Sequence, residues 1–199
     1  MVKLILLIGL PGSGKSSLAR QMLAENPQRP LISTDAIRSQ LFGDEAQQGP
    51  WLLIWREVQR QFQQAVVQIS STATVMTALA STEDSSEMRG LLNGGKFGTQ
   101  VADAGEAIYD ATNAQRRHRR EVIALARATG FTHITGLWLD TPVWLCLARN
   151  RRRVRQVPED VILRMHRQFQ DAPPTLQDGL DRLIRFTPSG VSTDIAIAL

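Results

Sequence analysis

Short apolar runs alternate along this chain with longer segments in which apolar residues recur every three or four positions. The runs predict strands near residues 3–8, 31–34, 106–110, 133–139 and 183–187. Runs of this length are typical of strands buried on both faces, and strands that alternate with helices form a mostly parallel sheet. We therefore predict an α/β domain, a three-layer sandwich with a five-stranded, mostly parallel sheet between two layers of helices.

The clearest helix is predicted directly after Gly49 and Pro50. Its apolar face is formed by Trp51, Ile54, Trp55, Val58, Phe62, Ala65, Val66 and Ile69. The two tryptophans are interpreted as core residues, with a base-stacking surface as the alternative. Thr141 and Pro142 predict the start of a later helix with Thr141 as its cap, and Pro158 begins the last long helix.

Two segments do not follow this alternation. Residues 70–104 include polar and glycine-rich stretches, which predict an inserted polar loop or arm. Residues 188–199 are interpreted as a C-terminal tail, so that the predicted domain covers residues 1–187.

The composition is that of a globular domain without membrane spans. Of 199 residues, 43% are hydrophobic, which suffices for a full core. The longest apolar stretch near the start is too short to cross a bilayer, so no membrane association is expected. Cys146, the single cysteine, predicts a buried thiol and the reducing cytoplasm as the compartment. The three histidines are scattered and form no metal-ligand cluster.

Arginine supplies most of the positive charge. The net charge is +4, and only three of the 23 basic residues are lysines. Nine arginines fall in two runs, within residues 116–120 and 149–155. Because a guanidinium binds phosphate in bidentate fashion, the runs predict anionic ligands. Solvated helix faces are the alternative explanation.

Residues 9–16, Gly-Leu-Pro-Gly-Ser-Gly-Lys-Ser, match the P-loop pattern G-x-x-x-x-G-K-[ST] between a predicted strand and a predicted helix. The glycines allow the backbone N–H groups to face phosphate oxygens at the positive end of the helix dipole. Lys15 is predicted to reach the β- and γ-phosphates, and the hydroxyl of Ser16 to ligate Mg²⁺. The predicted nucleotide contacts in this loop are Gly9, Pro11, Gly12, Ser13, Gly14, Lys15, Ser16 and Ser17. The chain is therefore predicted to bind a nucleoside triphosphate.

A P-loop alone does not separate kinases, GTPases and transporters. The patterns N-K-x-D and D-x-x-G of GTPases and L-S-G-G-Q of transporter ATPases do not occur in the sequence.

Asp35 follows the second predicted strand, where the carboxyl ends of parallel strands form a ligand crevice. It is predicted to accept the proton of an attacking hydroxyl, with a helix cap as the alternative. Arg38 shares its helical face and could hold an anionic acceptor.

Asp110 ends the third predicted strand and is predicted to organise Mg²⁺. Turn chemistry is the alternative there, with Thr112 and Asn113 available to cap the next helix. An arginine from residues 149–155 could neutralise charge on the transferring phosphoryl, although the end of a helix also tolerates cations.

Five segments carry a resemblance to a known family. They are G-L-P-G-S-G-K-S, S-T-D-A-I-R, Y-D-A-T-N, L-D-T-P and C-L-A-R-N-R-R-R-V-R-Q-V-P-E-D-V-I, and they span roughly residues 3–170 in the family's order. In these segments the chain resembles the kinase domain of polynucleotide 5′-hydroxyl kinases and the related AAA_33-type P-loop kinases.

The resemblance implies Mg²⁺-ATP as donor, Lys15 among the catalytic residues, Asp35 as general base and Arg38 as the contact of the acceptor phosphate. It also implies a lid at residues 149–157 that carries a catalytic arginine. Arg153 matches that arginine best, with Arg152 as the alternative, and Arg149 joins the nucleotide contacts.

The expected activity is transfer of the γ-phosphoryl of ATP to a hydroxyl, with the 5′-hydroxyl of single-stranded DNA or RNA as the first candidate acceptor. A kinase of a nucleoside, sugar or antibiotic and a regulatory ATPase without an acceptor are the alternatives. The sequence carries no signal for an oligomeric state.

Overall fold

The computed structural model describes residues 1–44, 49–81 and 105–195. Six strands lie in these ranges: β1 (Lys3–Gly9), β2 (Leu31–Ser33), β3 (Glu106–Asp110), β4 (His133–Leu139), β5 (Arg182–Thr187) and β6 (Gly190–Ile195). The helices are α1 (Lys15–Glu25), α2 (Thr34–Phe42), α3 (Trp51–Ser81), α4 (Arg116–Thr129), α5 (Val143–Arg151) and α6 (Glu159–Asp171). A short 3₁₀ turn, Leu176–Asp178, precedes β5.

The strands form one sheet in the order β2-β3-β1-β4-β5-β6. Every neighbouring pair is parallel except the hairpin of β5 and β6. The five predicted strands and their mostly parallel arrangement are confirmed. The central position of β1 places its carboxyl end between the loops that follow β3 and β4, and these loops build the site described below.

The central strands are apolar throughout because both faces of the sheet are covered. Leu4, Leu6 and Ile8 of β1 belong to the larger core cluster, which includes residues of α3, α4 and α6. Ile5 and Leu7 point to the other face, where Ala19 of α1 packs. A strand buried on both sides gains nothing from alternation, which explains the continuous apolar run in the sequence.

The strand count and the tail need correction, since β6 lies within residues 188–199. Its described residues are exposed, with Val191 63% exposed, because β6 is an edge strand. An exposed edge strand lacks the apolar run that reveals a buried one. The hydroxyl of Thr187 donates to the carbonyl of Gly190 at 3.0 Å and closes the hairpin.

The predicted arm at residues 70–104 also needs correction, because α3 continues to Ser81. Residues 70–81 contain no glycine or proline, so that nothing in the sequence ends the helix. Residues 82–104 of the predicted arm lie outside the described residues.

Trp51 at the start of α3, which the sequence pattern assigns to the core, is 44% exposed. Over the described ranges, no helix has the length and apolar character that crossing a membrane requires.

Candidate active site

The loop between β1 and α1 has a conformation that only glycine adopts at two positions. Gly12 has φ +83° and Gly14 has φ +105°, both in the region that side chains disfavour. A Cβ atom at Gly12 would lie 2.5 Å from the carbonyl oxygen of Cys146 on α5. Gly12, at a variable position of the pattern, is therefore required by close packing as well as by backbone geometry.

Hydrogen bonds hold this loop from both sides. The N–H of Gly9 donates to the carbonyl of Thr112 after β3 at 3.1 Å, and the hydroxyl of Thr141 after β4 donates to the carbonyl of Ser13 at 3.1 Å. Thr141 is therefore not the helix cap that was predicted, since α5 begins after Pro142 without a side-chain cap. Asn113 is likewise no cap, because its amide donates to the carbonyl of Leu7 at 2.7 Å. These contacts preorganise the loop before any ligand binds.

Lys15 lies inside the loop and is only 8% exposed. Its Nζ donates to the carbonyl of Leu10 at 2.8 Å. Burial lowers the pKa of Lys15 to about 8, against the opposing charge of Asp110. The hydroxyl of Ser13 is buried and has no hydrogen-bond partner among the described residues. A buried ammonium, an unpartnered hydroxyl and the N-terminal end of α1 together fit a phosphate group.

Ser16 and Asp110 meet beside this loop. The Ser16 hydroxyl donates to the Asp110 carboxylate at 2.9 Å, and burial raises the pKa of Asp110 while Lys15 opposes the rise. Both groups offer the oxygen atoms that Mg²⁺ prefers, and Mg²⁺ is usually held by one or two protein oxygens together with substrate phosphates. The described residues contain no group of three or more His, Cys, Asp or Glu that could hold a metal. The donor set fits Mg²⁺ bound with a nucleotide.

A cleft of about 680 Å³ opens in front of the loop. It brings together nearly all the predicted site residues. They are Pro11, Gly12, Gly14, Lys15, Ser16, Ser17, Asp35, Arg38, Asp110, Arg149 and Arg153. Gly9 and Ser13 lie behind this lining, within the loop itself. Arg20 and Arg155 also line the cleft and were not singled out from the sequence.

Asp35 lies in the first turn of α2 and faces the cleft. The N-cap of α2 is Ser33, whose hydroxyl accepts from the N–H of Ala36 at 3.4 Å, so the cap interpretation of Asp35 is wrong. The Asp35 carboxylate is 48% exposed and pairs with Arg38 at 2.9 Å and with Arg155 at 3.5 Å. A carboxylate that does not cap its helix is available to a ligand in the cleft.

The arginines of residues 149–155 point in different directions. Arg153 lines the cleft, and its charge acts on both Lys15 and Asp110. Arg152 does not line the cleft, and Arg151 pairs with Glu159 at 2.7 Å on the exposed surface. Arg149 approaches the carbonyl of Gly12 at 3.5 Å. The structure therefore favours Arg153 over Arg152 as an arginine that could act in the cleft.

The run at residues 116–120 is not a uniform anion-binding face, because Arg119 is fully buried. It donates to the carboxylate of Asp178 at 2.9 Å and to the carbonyls of Ala114 and Ala172 at 2.8 Å each. Arg116 donates to the other oxygen of Asp178 at 2.9 Å. Arg119 is therefore a structural residue that joins α4 to the end of α6 and the 3₁₀ turn.

Comparison with known proteins finds a matching family model and a related protein. The family model AAA_33, described as an AAA domain, matches residues 4–172. L-seryl-tRNA(Sec) kinase of Methanococcus maripaludis is 26% identical over 176 residues, which cover 86% of this chain and 54% of that protein. The chain thus spans about half the length of that relative.

Solved structures show the same fold at low identity. A chain of the Pnkp1/Rnl/Hen1 RNA repair complex matches with a TM-score of 0.56 and 20% identity over 85% of this chain and 44% of that chain. A sugar kinase from Janibacter sp. HTCC2649 matches with a TM-score of 0.53 and 13% identity over 94% of this chain and 86% of that chain. At these identities the likeness concerns the fold and not the substrate.

Proposed function

The chain belongs to the AAA_33 family, and from this premise we propose that it is an ATP-dependent kinase that phosphorylates the 5′-hydroxyl of a polynucleotide. The observation that carries the proposal is the position of Asp35. Its carboxylate faces the same cleft as Lys15 and the pair of Ser16 and Asp110, although it lies on a different element. A phosphate site and a carboxylate in one cleft are the two parts that phosphoryl transfer to an alcohol needs.

The donor nucleotide is held by the loop after β1. The N–H groups at the start of α1, the Lys15 ammonium and the Ser13 hydroxyl contact its phosphates. Ser16 and Asp110 would hold Mg²⁺, which neutralises charge on the β- and γ-phosphates when it is bound. Arg149, beside the carbonyl of Gly12, contacts the nucleotide from the proposed lid at residues 149–157.

The transfer step follows from the groups that face the cleft. The acceptor oxygen forms a bond to the γ-phosphorus, and the bond from that phosphorus to the β,γ-bridging oxygen breaks, so that ADP leaves. Asp35 accepts the proton of the acceptor hydroxyl. Arg38 lines the cleft beside Asp35 and holds an acceptor phosphate. Arg153 stabilises the charge on the transferring phosphoryl.

A small-molecule kinase is the second candidate. The cleft of about 680 Å³ lies within the usual range for small-molecule sites, and a nucleoside or sugar would fit it. The L-seryl-tRNA(Sec) kinase among the matched proteins is named for a tRNA, which supports a nucleic-acid acceptor here.

The test is an acceptor panel with ATP labelled in the γ-phosphate. The panel contains 5′-hydroxyl DNA and RNA oligonucleotides, their 5′-phosphorylated forms, nucleosides and sugars, together with a reaction without acceptor. We expect label on the 5′-hydroxyl oligonucleotides only, and none with Asp35→Asn. Label on a nucleoside or sugar alone would assign the small-molecule reaction, and ATP hydrolysis without any labelled acceptor would assign a regulatory ATPase.

A further inference from the structure

The first turns of α3 and α4 bring an exposed aromatic pair together. Trp51 stacks on His118 with ring centroids 5.9 Å apart and planes 23° from parallel. Trp55 lies one helical turn further along α3, with its ring centroid 5.9 Å from that of Trp51. Trp51 is 44% exposed, whereas Trp138 in the core is 7% exposed. A partly exposed indole beside other aromatic rings can take a further flat ring.

Arginines precede and follow His118 along α4, at a helix end that disfavours cations. Arg116 and Arg117 begin α4, whose first turn has no acidic residue and whose N-terminus has no side-chain cap. The positive end of a helix dipole repels cations, so arginines here lower stability. Arg116 and Arg119 share the carboxylate of Asp178, and Arg117 pairs with Glu121 at 2.8 Å on the exposed surface. Exposed ion pairs contribute little to stability, so Arg117 can exchange Glu121 for an anionic partner.

A short stretch of chain connects the cleft to His118. Thr112 lines the cleft, and six residues lead from it to His118. A stretch of six residues spans at most about 22 Å even when fully extended. An oligonucleotide whose 5′ end lies in the cleft can therefore reach Trp51 and His118 within a few nucleotides.

We propose that Trp51, His118, Arg117 and Arg120, here called the Trp51 surface, bind the acceptor as a single strand of nucleic acid. Bases stack on Trp51, and the arginines contact the phosphates. Sequence-tolerant stacking on an aromatic side chain within a basic surface is the usual way in which single strands are bound. The inference rests on the proposed function for the identity of the strand as acceptor, but the binding itself can be measured without any transfer.

The test measures binding and transfer separately on the full chain. Binding is measured by fluorescence anisotropy of 5′-hydroxyl oligonucleotides of two and ten nucleotides, labelled at the 3′ end, as DNA and as RNA, across a salt series. We expect stronger binding of the ten-nucleotide strand. Trp51→Ala should weaken that binding about 5- to 150-fold, the range measured for loss of one stacked base, and Trp51→Phe should restore much of it. Phosphorylation of the same oligonucleotides is assayed in parallel.

Matched variants control for aromatic surface and for charge. Trp144→Ala removes another exposed tryptophan, on α5, and should leave binding unchanged. Arg117→Gln with Arg120→Gln should lower the salt slope by about two units, one for each phosphate contact. Arg182→Gln, an exposed arginine at the opposite edge of the sheet, should leave the slope unchanged. Thermal melts check that each variant is folded.

The outcomes separate the two proposals. Equal binding by Trp51→Ala and wild type overturns the Trp51 surface, even where wild type phosphorylates the oligonucleotides. Binding that depends on Trp51 without any transfer supports the surface and overturns the kinase acceptor. A wild type that binds no oligonucleotide overturns the surface. Self-association that Trp51→Ala abolishes, with no effect on oligonucleotides, would assign the surface to a second copy of the chain and overturn the inference.

Discussion

The hydroxyl of Ser16 donates a hydrogen bond of 2.9 Å to the carboxylate of Asp110, and 94 positions of the chain separate the two residues. The contact forms because β1 and β3 are parallel neighbours, so that the residues at their carboxyl ends meet. It brings two oxygen ligands together beside the phosphate-binding loop. The first prediction follows from this pair.

Asp110→Asn should raise the Mg²⁺ concentration that supports half-maximal phosphoryl transfer by about 10- to 100-fold. The amide oxygen can still accept from Ser16, so the fold is retained, but the negative charge is lost. Titration of activity with Mg²⁺ at saturating ATP measures the shift. Asp171→Asn, which changes an exposed carboxylate at the end of α6, is the control. An unchanged Mg²⁺ requirement in Asp110→Asn would exclude Asp110 from the metal site.

Lys15→Met should make the nucleotide-free protein more stable at neutral pH, although it should abolish phosphoryl transfer. Burial lowers the pKa of Lys15 from 10.5 to about 8. The charged ammonium inside the loop therefore lowers the free energy of unfolding. Below pH 8, where Lys15 is protonated in both the folded and the unfolded chain, the wild type loses the full amount of stability. Between pH 8 and 10.5 the unfolded chain binds more protons, and wild-type stability rises with pH.

Urea denaturation of wild type and Lys15→Met, measured without nucleotide from pH 7 to pH 10.5, checks this prediction. At about 1.36 kcal/mol for each pKa unit, the wild type should gain roughly 3 kcal/mol relative to the variant across the interval. The other titrating groups contribute equally to the stability of wild type and variant, so their contributions cancel in the difference. A difference that stays constant with pH would show that the Lys15 pKa is not lowered by burial.

The parts that sequence could predict are those governed by local rules. Strands buried on both faces appear as apolar runs, and the loop at residues 9–16 has a fixed pattern. β6 is an exposed edge strand without such a run. The contact of Arg155 with Asp35 spans 120 positions, and a run of five arginines does not indicate which side chains face the cleft. The burial of Arg119 could be predicted from the sequence, because Val122, Ile123 and Ala126 follow it at helical spacing on a buried face.

Asp35→Asn and Ser33→Ala should have opposite effects. Ser33 caps α2, so its replacement by alanine should lower the free energy of unfolding by about 1 kcal/mol and leave transfer largely intact. Asp35→Asn should reduce kcat by about 10²–10⁴ with little change in stability, because its amide cannot accept the proton of the acceptor hydroxyl. Chemical denaturation and steady-state kinetics on both variants measure the contrast. Retained turnover in Asp35→Asn would exclude its role as general base.

Arg119→Met should lower the free energy of unfolding by about 3 kcal/mol, since it leaves the buried carboxylate of Asp178 with one arginine in place of two. The value is at the low end for a broken buried ion pair because Arg116 still donates to Asp178. Arg120→Met, one position on and exposed, should change stability by less than about 0.5 kcal/mol. Urea denaturation measures both. Adding Asp178→Asn to Arg119→Met should recover part of the loss, and a purely additive double variant would contradict the ion-pair explanation.

Arg153→Ala should depress kcat strongly while ATP and acceptor still bind. Arg153 lines the cleft, and its charge acts on Lys15 and Asp110. We therefore expect its guanidinium to stabilise the charge that develops on the transferring phosphoryl. An arginine in that role contributes about 10³–10⁵ to the rate. Arg152→Ala is the matched control, because it removes the same charge one position earlier from a side chain that does not line the cleft. Single-turnover transfer from labelled ATP, with binding of ATP and acceptor measured separately, distinguishes a defect in transfer from one in binding. Equal rates for the two variants, or a larger loss in Arg152→Ala, would move the catalytic arginine away from position 153.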